Sequence, residues 1–236
     1  PLRDRLQRLE DSVFFRGEAA YQQRLQDFSR EITRTVDLDG VQRTIRQHVV
    51  NSLLPDRLHV FILDPLSDQY AARPDGSERP SSDIRFSLDS PLTRSLAREK
   101  TPLFLLDEEF PADLEPERPR LALLGAQLFV PLPGSERLLG WLALGPRRSG
   151  EAYKAQELNF LDRLSDQAAV AIERAQVVST MERRVREMNI LARVAQGVNI
   201  TVTFDDILEL IYAQTDQVIP TDDFHLILHN SQHYFA

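Results

Sequence analysis

The sequence predicts an α+β fold, with a sheet of short crossings set between helical flanks. Three observations carry this. Of 14 prolines, 12 fall between Pro55 and Pro146, and only Pro1 and Pro220 lie outside. Proline removes a backbone donor and clashes with the preceding turn, so the flanks are open to long helices and the middle is not. The flanks repeat apolar residues every three or four positions, whereas the middle holds short apolar runs stopped by Pro, Gly and Asp.

The front, from Leu2 to about Thr35, has helical periodicity. Leu2, Leu6, Leu9 and Val13 form one seam, and Tyr21, Leu25, Phe28 and Ile32 continue it after a phase shift. Such a narrow seam suits helices packed side by side; the alternative is a helix lying on its own domain. Asp37 is a good N-cap, and a second helix is expected from there to about Leu54, burying Leu38, Val41, Ile45, Val49 and Leu53. In the middle, Leu58–Leu63 is a short, nearly all-apolar run that suits a strand covered on both faces. Ile84–Leu88 and Pro102–Leu106 are further strands. Between them, Ser90-Pro91 supplies a cap and a proline at the first helical position, opening a short helix to about Glu99. Gln127–Leu132 and Leu138–Leu144 read as a hairpin across Pro133–Arg137.

The rear is expected to be one helix from about Tyr153 to Gln196. At 1.5 Å per residue it spans about 60 Å, longer than such a domain is wide, so part of it projects. Its first part carries a wide apolar face of Leu158, Leu161, Leu164, Ala168, Ala171, Ile172 and Ala175. The face then narrows to Val178, Met181, Val185, Met188 and Ala192, a coiled-coil seam through which two copies would pair as a homodimer. The steps through Val178, Met181 and Val185 break the preceding alternation, implying a local change of supercoil phase.

Composition narrows the function. With no cysteine among 236 residues, a disulfide scaffold, a thiolate metal site, a Cys nucleophile and a thioether-linked cofactor are all excluded. A net charge of −8 argues against nucleic acid as a partner. The longest uncharged stretch, Leu121–Ser135, is too short for a membrane span and holds two prolines, so no membrane contact is expected. Opening on Pro1 rather than Met, the chain is expected to be a piece of a longer protein.

A shift of 166 positions aligns the front with the tail. It pairs Leu25/Leu191, Thr35/Thr201, Val36/Val202, Asp39/Asp205, Ile45/Ile211, Asp56/Asp222 and His59/His225, and sets the cap residue Asp37 against Thr203. A period of this size points to duplicated domains rather than a solenoid. The expected organisation is a connector helix over 1–31, a sensor domain over 32–175, a connecting helix over 176–200 and the start of a second domain over 201–236.

Several segments, in this order, resemble the GAF domain of bacterial signalling proteins. They are Lys100–Asp107, Val130-Pro131-Leu132, Leu139-Gly140-Trp141-Leu142-Ala143-Leu144-Gly145, Tyr153 with Glu157-Leu158, and Leu161 through Gln167–Glu173. The resemblance implies a central antiparallel sheet with terminal helices on one face and a ligand pocket under loops and short helices on the other. It also implies tandem modules joined by helices ahead of an output domain, often a histidine kinase of a two-component system, in a cytoplasmic protein. Strand alternation assigns the faces independently. Leu58, Val60 and Ile62 should meet the helices, leaving His59, Phe61 and Leu63 toward the pocket, since a histidine under the helices costs more unless paired.

No catalytic motif is present: there is no phosphate-binding glycine loop, HExxH or GxSxG. No catalytic or metal-ligating residues are therefore assigned, and the chain is expected not to be an enzyme. The candidate pocket residues are His59, Phe61, Arg85, Phe86, Phe104 and Phe129, with Arg94 and Arg98 as further cations. The bland alternatives are a satisfied histidine, surface arginines and plain core. The ligand, an unidentified small molecule if there is one, is not named by any motif. A linked bilin is excluded by the missing cysteine. Haem on His59 is the remaining cofactor alternative, and the recurrence of His225 favours a shared structural role instead. His48 reads as a surface residue. The acidic segment Asp107–Glu109, Asp113, Glu115 and Glu117 reads as a solvated loop whose negative rim would disfavour a cyclic nucleotide.

Overall fold

In the computed structural model, the described residues are 19–65, 67–74, 80–105, 110–198, 204–219, 225, 228–229 and 234–235. The chain divides into two units, Pro1–Val178 and Ser179–Ala236.

The first unit is built on a six-stranded sheet in the order β3-β2-β1-β6-β5-β4, antiparallel throughout. Its strands are β1 (Leu58–Asp64), β2 (Gln69–Ala72), β3 (Arg85–Ser87), β4 (Leu103–Phe104), β5 (Leu128–Pro133) and β6 (Leu138–Leu144). The central pair, β1 and β6, is buried along almost its whole length, as expected for strands covered on both faces. Their close approach depends on Gly140. It lies opposite Ile62, and a Cβ there would overlap the Phe61 carbonyl oxygen. Pro131 and Pro133 sit in β5 beyond the two residues paired with β4, where the strand has become an edge and needs no donor on that side.

One face of the sheet carries α1 (residues 19–34), α2 (Leu38–Leu53) and the first part of α5 (Ala155–Val198). Asp37 caps α2 by accepting from the Gly40 amide at 2.7 Å, and Val41, Ile45, Val49 and Leu53 are its buried stripe. Leu58, Val60 and Ile62 meet these helices. Phe28 and Ile32 of α1 are fully buried in the same core. Over 19–31, the segment assigned to a connector is thus a packed element of the first unit, because its seam faces its own sheet-covering helices. Its earlier residues lie outside the described set.

The other face carries α3 (Pro91–Glu99), a 3-10 turn (Ala112–Glu117) and α4 (Arg118–Leu124). Neither the turn nor α4 is anticipated by the sequence, since Pro116 and Pro119 suggest a loop. Proline is tolerated in the first turn, however, and Leu121 and Leu124 are buried against the sheet. β2 is likewise unanticipated. Its residues have no β-branched side chain, and it exists by pairing with β1, with Ile62 opposite Ala71 and Leu63 opposite Tyr70.

In the second unit, α6 (Phe204–Asp216) is an amphipathic helix, and β7 (Leu228–His229) pairs antiparallel with β8 (Tyr234–Phe235). The α5 helix is 44 residues long, about 66 Å at 1.5 Å per residue.

Candidate functional site

The face of the sheet away from α1, α2 and α5 is where a ligand is expected. Phe61 and Leu63 point to it, together with Tyr70, Phe86, Phe129 and Trp141. Phe61 stacks on Trp141 with ring centres 5.2 Å apart; Phe86 meets both edge-on at 5.5 and 5.4 Å, and Tyr70 meets Trp141 at 4.8 Å. These geometries are favourable for aromatic pairs. Phe61, Phe86, Phe129 and Trp141 are 0% exposed. The candidates Phe61, Phe86 and Phe129 therefore fill the core of this face rather than lining an opening. Sequence alone does not separate the two roles, because the side chains needed are the same.

Phe104 lies on the opposite face. It pairs with Leu128, which faces the helices, whereas its neighbour Leu103 pairs with Phe129 on the aromatic side. Side chains alternate along a strand, so a one-residue difference in register decides the face. Arg85 is exposed on the edge strand β3, and its carbonyl accepts from the Arg120 guanidinium, which also lies over the Phe86 ring at 4.7 Å. Arg94 and Arg98 are exposed, and Arg98 pairs with Glu99 at 2.9 Å.

His59 is half-buried and engaged at both ring nitrogens: Nδ1 is 3.1 Å from the Ser81 hydroxyl and Nε2 is 3.2 Å from the Leu124 carbonyl. A carbonyl only accepts, so Nε2 carries the hydrogen and Nδ1 accepts from Ser81. Neither nitrogen offers a lone pair to an iron, so this arrangement ties β1 to the end of α4 and does not fit a haem ligand. His48 is less exposed than expected, stacking edge-on with Phe28 and lying 2.9 Å from Glu31.

The acidic segment is corrected at one residue. Asp113 and Glu115 are exposed, and 107–109 lie outside the described residues, but Glu117 is only 4% exposed. Its carboxylate accepts from the Leu92 amide at 2.8 Å, satisfying a free donor in the first turn of α3, and pairs with Arg120 at 3.3 Å. The sequence hides this because the partner is 25 positions away.

Two buried groups were missed. Tyr70 donates to the Leu138 carbonyl at 2.7 Å, and burial pushes its hydroxyl pKa up. Trp141 has a buried indole N–H with no hydrogen-bond partner. Its place in the Leu-Gly-Trp-Leu-Ala-Leu-Gly stretch was the available signal.

Ties between the terminal helices concentrate on α5. Glu157 accepts from the Lys154 amide at 2.8 Å, closing the first turn, and from the Tyr21 hydroxyl of α1 at 3.0 Å. It also pairs with Arg147 at 2.8 Å. More than four turns further along α5, Glu173 accepts from the Ser135 amide and hydroxyl at 2.7 and 2.8 Å. Its neighbour Arg174 donates to the carbonyls of Ile32 and Thr35 at 3.0 and 2.6 Å.

Of the seam candidates, Val178 is half-buried at the end of the first unit, while Met181, Val185, Met188 and Ala192 are exposed on α5. Val177 and Leu191 are exposed too and were missed. Among the described residues there is no cluster of three metal-binding side chains, and no helix is long and apolar enough to cross a membrane.

Among solved structures, the fold is similar to the GAF domain from a phosphoenolpyruvate-protein phosphotransferase of Coxiella burnetii. The TM-score is 0.52 at 18% identity, covering 69% of this chain and 98% of that one. It is similar to a methyl-accepting chemotaxis protein fragment, with a TM-score of 0.51 at 17% identity, covering 64% and 98%. The photosensory core module of a Stigmatella aurantiaca phytochrome gives 0.55 at 14% identity, covering 85% of this chain and 45% of that one. At these identities the likeness is one of fold. No curated protein matches the sequence. The sequence matches the GAF domain family over residues 35–173, more than half its length and the span that holds the whole sheet, α2, α3, α4 and the first part of α5, so the chain belongs to the GAF domain family.

Proposed function

We propose that this chain is a non-catalytic sensory and dimerisation module of a cytoplasmic signal-transduction protein. It passes a change in core or packing along paired α5 helices to an output domain outside this chain. The observation that carries the reading is α5 itself. One face of its first half, through Ala175, is buried on the sheet, whereas Met181, Val185, Met188 and Ala192 are exposed at steps of four, three and four, a coiled-coil spacing. Signalling requires two packings of that seam within a few kcal/mol, which an effector can bias.

The tandem arrangement is part of the proposal. Under the 166-residue shift, the first residue of α6, Phe204, falls on the first residue of α2, Leu38. β7 falls on Ile62–Leu63 of β1, and each is followed by an antiparallel partner. This supports a second domain of the same kind beginning after α5.

The dimer is tested by light scattering and sedimentation. The chain is expected to be dimeric, and the double variant Met181→Glu/Met188→Glu monomeric with unchanged far-UV circular dichroism. A strict monomer at high concentration removes the dimerisation part. A second reading, a scaffold without a small-molecule ligand, is favoured by the close-packed aromatic face. A thermal-shift screen separates the two, because a specific ligand raises stability by mass action.

A further inference from the structure

We propose that the cleft between the C-terminal end of α3 and the β5–β6 turn binds a small organic anion. The cleft is lined by Ala97, Lys100, Glu136, Leu138 and the turn residues Pro133, Gly134 and Arg137, and has a volume of about 240 Å³. That is far more than the ~15 Å³ one water needs, yet below the usual size of a drug-sized pocket. The space therefore suits a compact molecule. Ala97, Pro133 and Leu138 offer it apolar contacts, and Lys100 and Arg137 offer two cations from different elements.

These cations are not otherwise accounted for. The C-terminus of α3 favours a positive charge and gives Lys100 one reason to be there. Arg98, two residues earlier, is already paired with Glu99. Arg137 enters from the hairpin, and among the described residues neither it nor Lys100 has an acidic partner. Glu136 is the one acid in the lining against these two cations, and Glu173, behind Gly134, spends its carboxylate on the Ser135 amide and hydroxyl. The Arg137 guanidinium also acts on the Tyr70 hydroxyl, opposing the larger upward push of burial on its pKa. That hydroxyl donates to the carbonyl of Leu138, which lines the cleft beside Arg137. Glu117 is at the other end of α3, where it meets the first turn, about 13 Å away for a nine-residue helix.

An anion here would be connected to α5 by one residue. Gly134 closes the turn by donating to the Arg137 carbonyl at 3.0 Å, and the next residue, Ser135, is held twice by Glu173. The binding claim stands on the cleft alone; its effect on α5 rests on the sensory reading.

The test is a titration of the full ¹⁵N-labelled chain with glutarate and, separately, inorganic phosphate, at ionic strength held constant with sodium chloride. Saturable shifts of the Ala97, Lys100, Gly134 and Leu138 amides are expected with at least one probe, and which probe produces them distinguishes a carboxylate from a phosphoryl ligand. Lys100→Gln and Arg137→Gln, both at exposed positions, should each weaken the affinity about tenfold. Arg137→Lys should restore part of it. Shifts that stay linear for both probes, or saturable shifts unchanged in both Gln variants, overturn the site. Glu173→Gln should leave binding intact while reducing the shifts carried to residues 169–177. Unreduced shifts there overturn the link to α5 and leave the site standing, and neither result depends on whether the chain dimerises.

Discussion

Replacing Glu157 by Gln changes one charge and almost no volume at the point where α1, α5 and the β6–α5 loop converge. The side chain is 5% exposed, and that of its partner Arg147 is 15% exposed. Tyr21 and Lys154 donate to different oxygens of Glu157, and Gln has only one, so with that oxygen kept on the Lys154 amide the Tyr21 hydroxyl must turn to accept from the Gln amide nitrogen. Also lost is the counter-charge of the mostly buried Arg147 guanidinium. Removing one partner of a buried pair costs about 3–5 kcal/mol. Arg147 keeps a second, longer contact to the exposed Glu151 at 3.6 Å, which places the expected loss at the lower end, about 3 kcal/mol. For a chain of this size each kcal/mol moves Tm by about 2–4 °C, so a fall of about 6–12 °C is expected in calorimetry or circular dichroism. The double variant with Arg147→Met supplies the cycle. Because the stranded charge is gone, it should lose clearly less than the sum of the two single variants. A Glu157→Gln loss below about 0.5 kcal/mol, or strict additivity, would refute the claim that this pair is a buried tie between the helices.

Three further substitutions test the packing and the ionisation of the first unit. Gly140→Ala should unfold or severely destabilise the chain, by about 3 kcal/mol or more, because the new Cβ meets rigid backbone of β1, with the Phe61 carbonyl carbon at 2.9 Å. Gly150→Ala, in open space but at a φ of 76°, should cost only about 1–2 kcal/mol, and urea unfolding that reverses this order would contradict the strand approach. Burial pushes the Tyr153 hydroxyl pKa up to about 12, and raises those of Tyr70 and Tyr21, the last also through Glu157. A folded-state pKa above the unfolded value of about 10 gives stability that is complete below pH 10 and lost as pH rises toward 12. Alkaline unfolding should therefore begin near pH 10, and Tyr153→Phe should flatten that limb; a slope unchanged by the substitution counts against the assignment.

How far the sequence could be read depended on whether a residue's fate was decided locally. Ser90-Pro91 names the start of α3 because cap and proline act within one turn. The stripe of Val41, Ile45, Val49 and Leu53 names the face of α2 because a helix imposes its own spacing. The two faces of β1 follow from alternation in the same way. The failures were long-range. β2 is a strand because β1 pairs with it, Phe104 turns to the helices because of its register with Leu128, and Glu117 is buried because α3 presents a free amide to it. The aromatic candidates failed for another reason: Phe61, Phe86 and Phe129 have the composition of a pocket wall, and only packing shows them closed against one another and Trp141.

Glu173 and Arg174 are consecutive residues, and on an α-helix consecutive side chains leave the axis about 100° apart. One grips the β5–β6 turn and the other the end of α1 and the segment after it. Two anchors at different azimuths act as a torsional lock. Where it leaves the sheet, α5 cannot turn about its own axis in either sense without breaking one anchor, whereas a tilt that carries the hairpin and α1 along with it breaks neither. On the sensory reading proposed above, motion passed down this helix would start as a lever, and a twist would first have to break the hydrogen bonds of one of these two side chains.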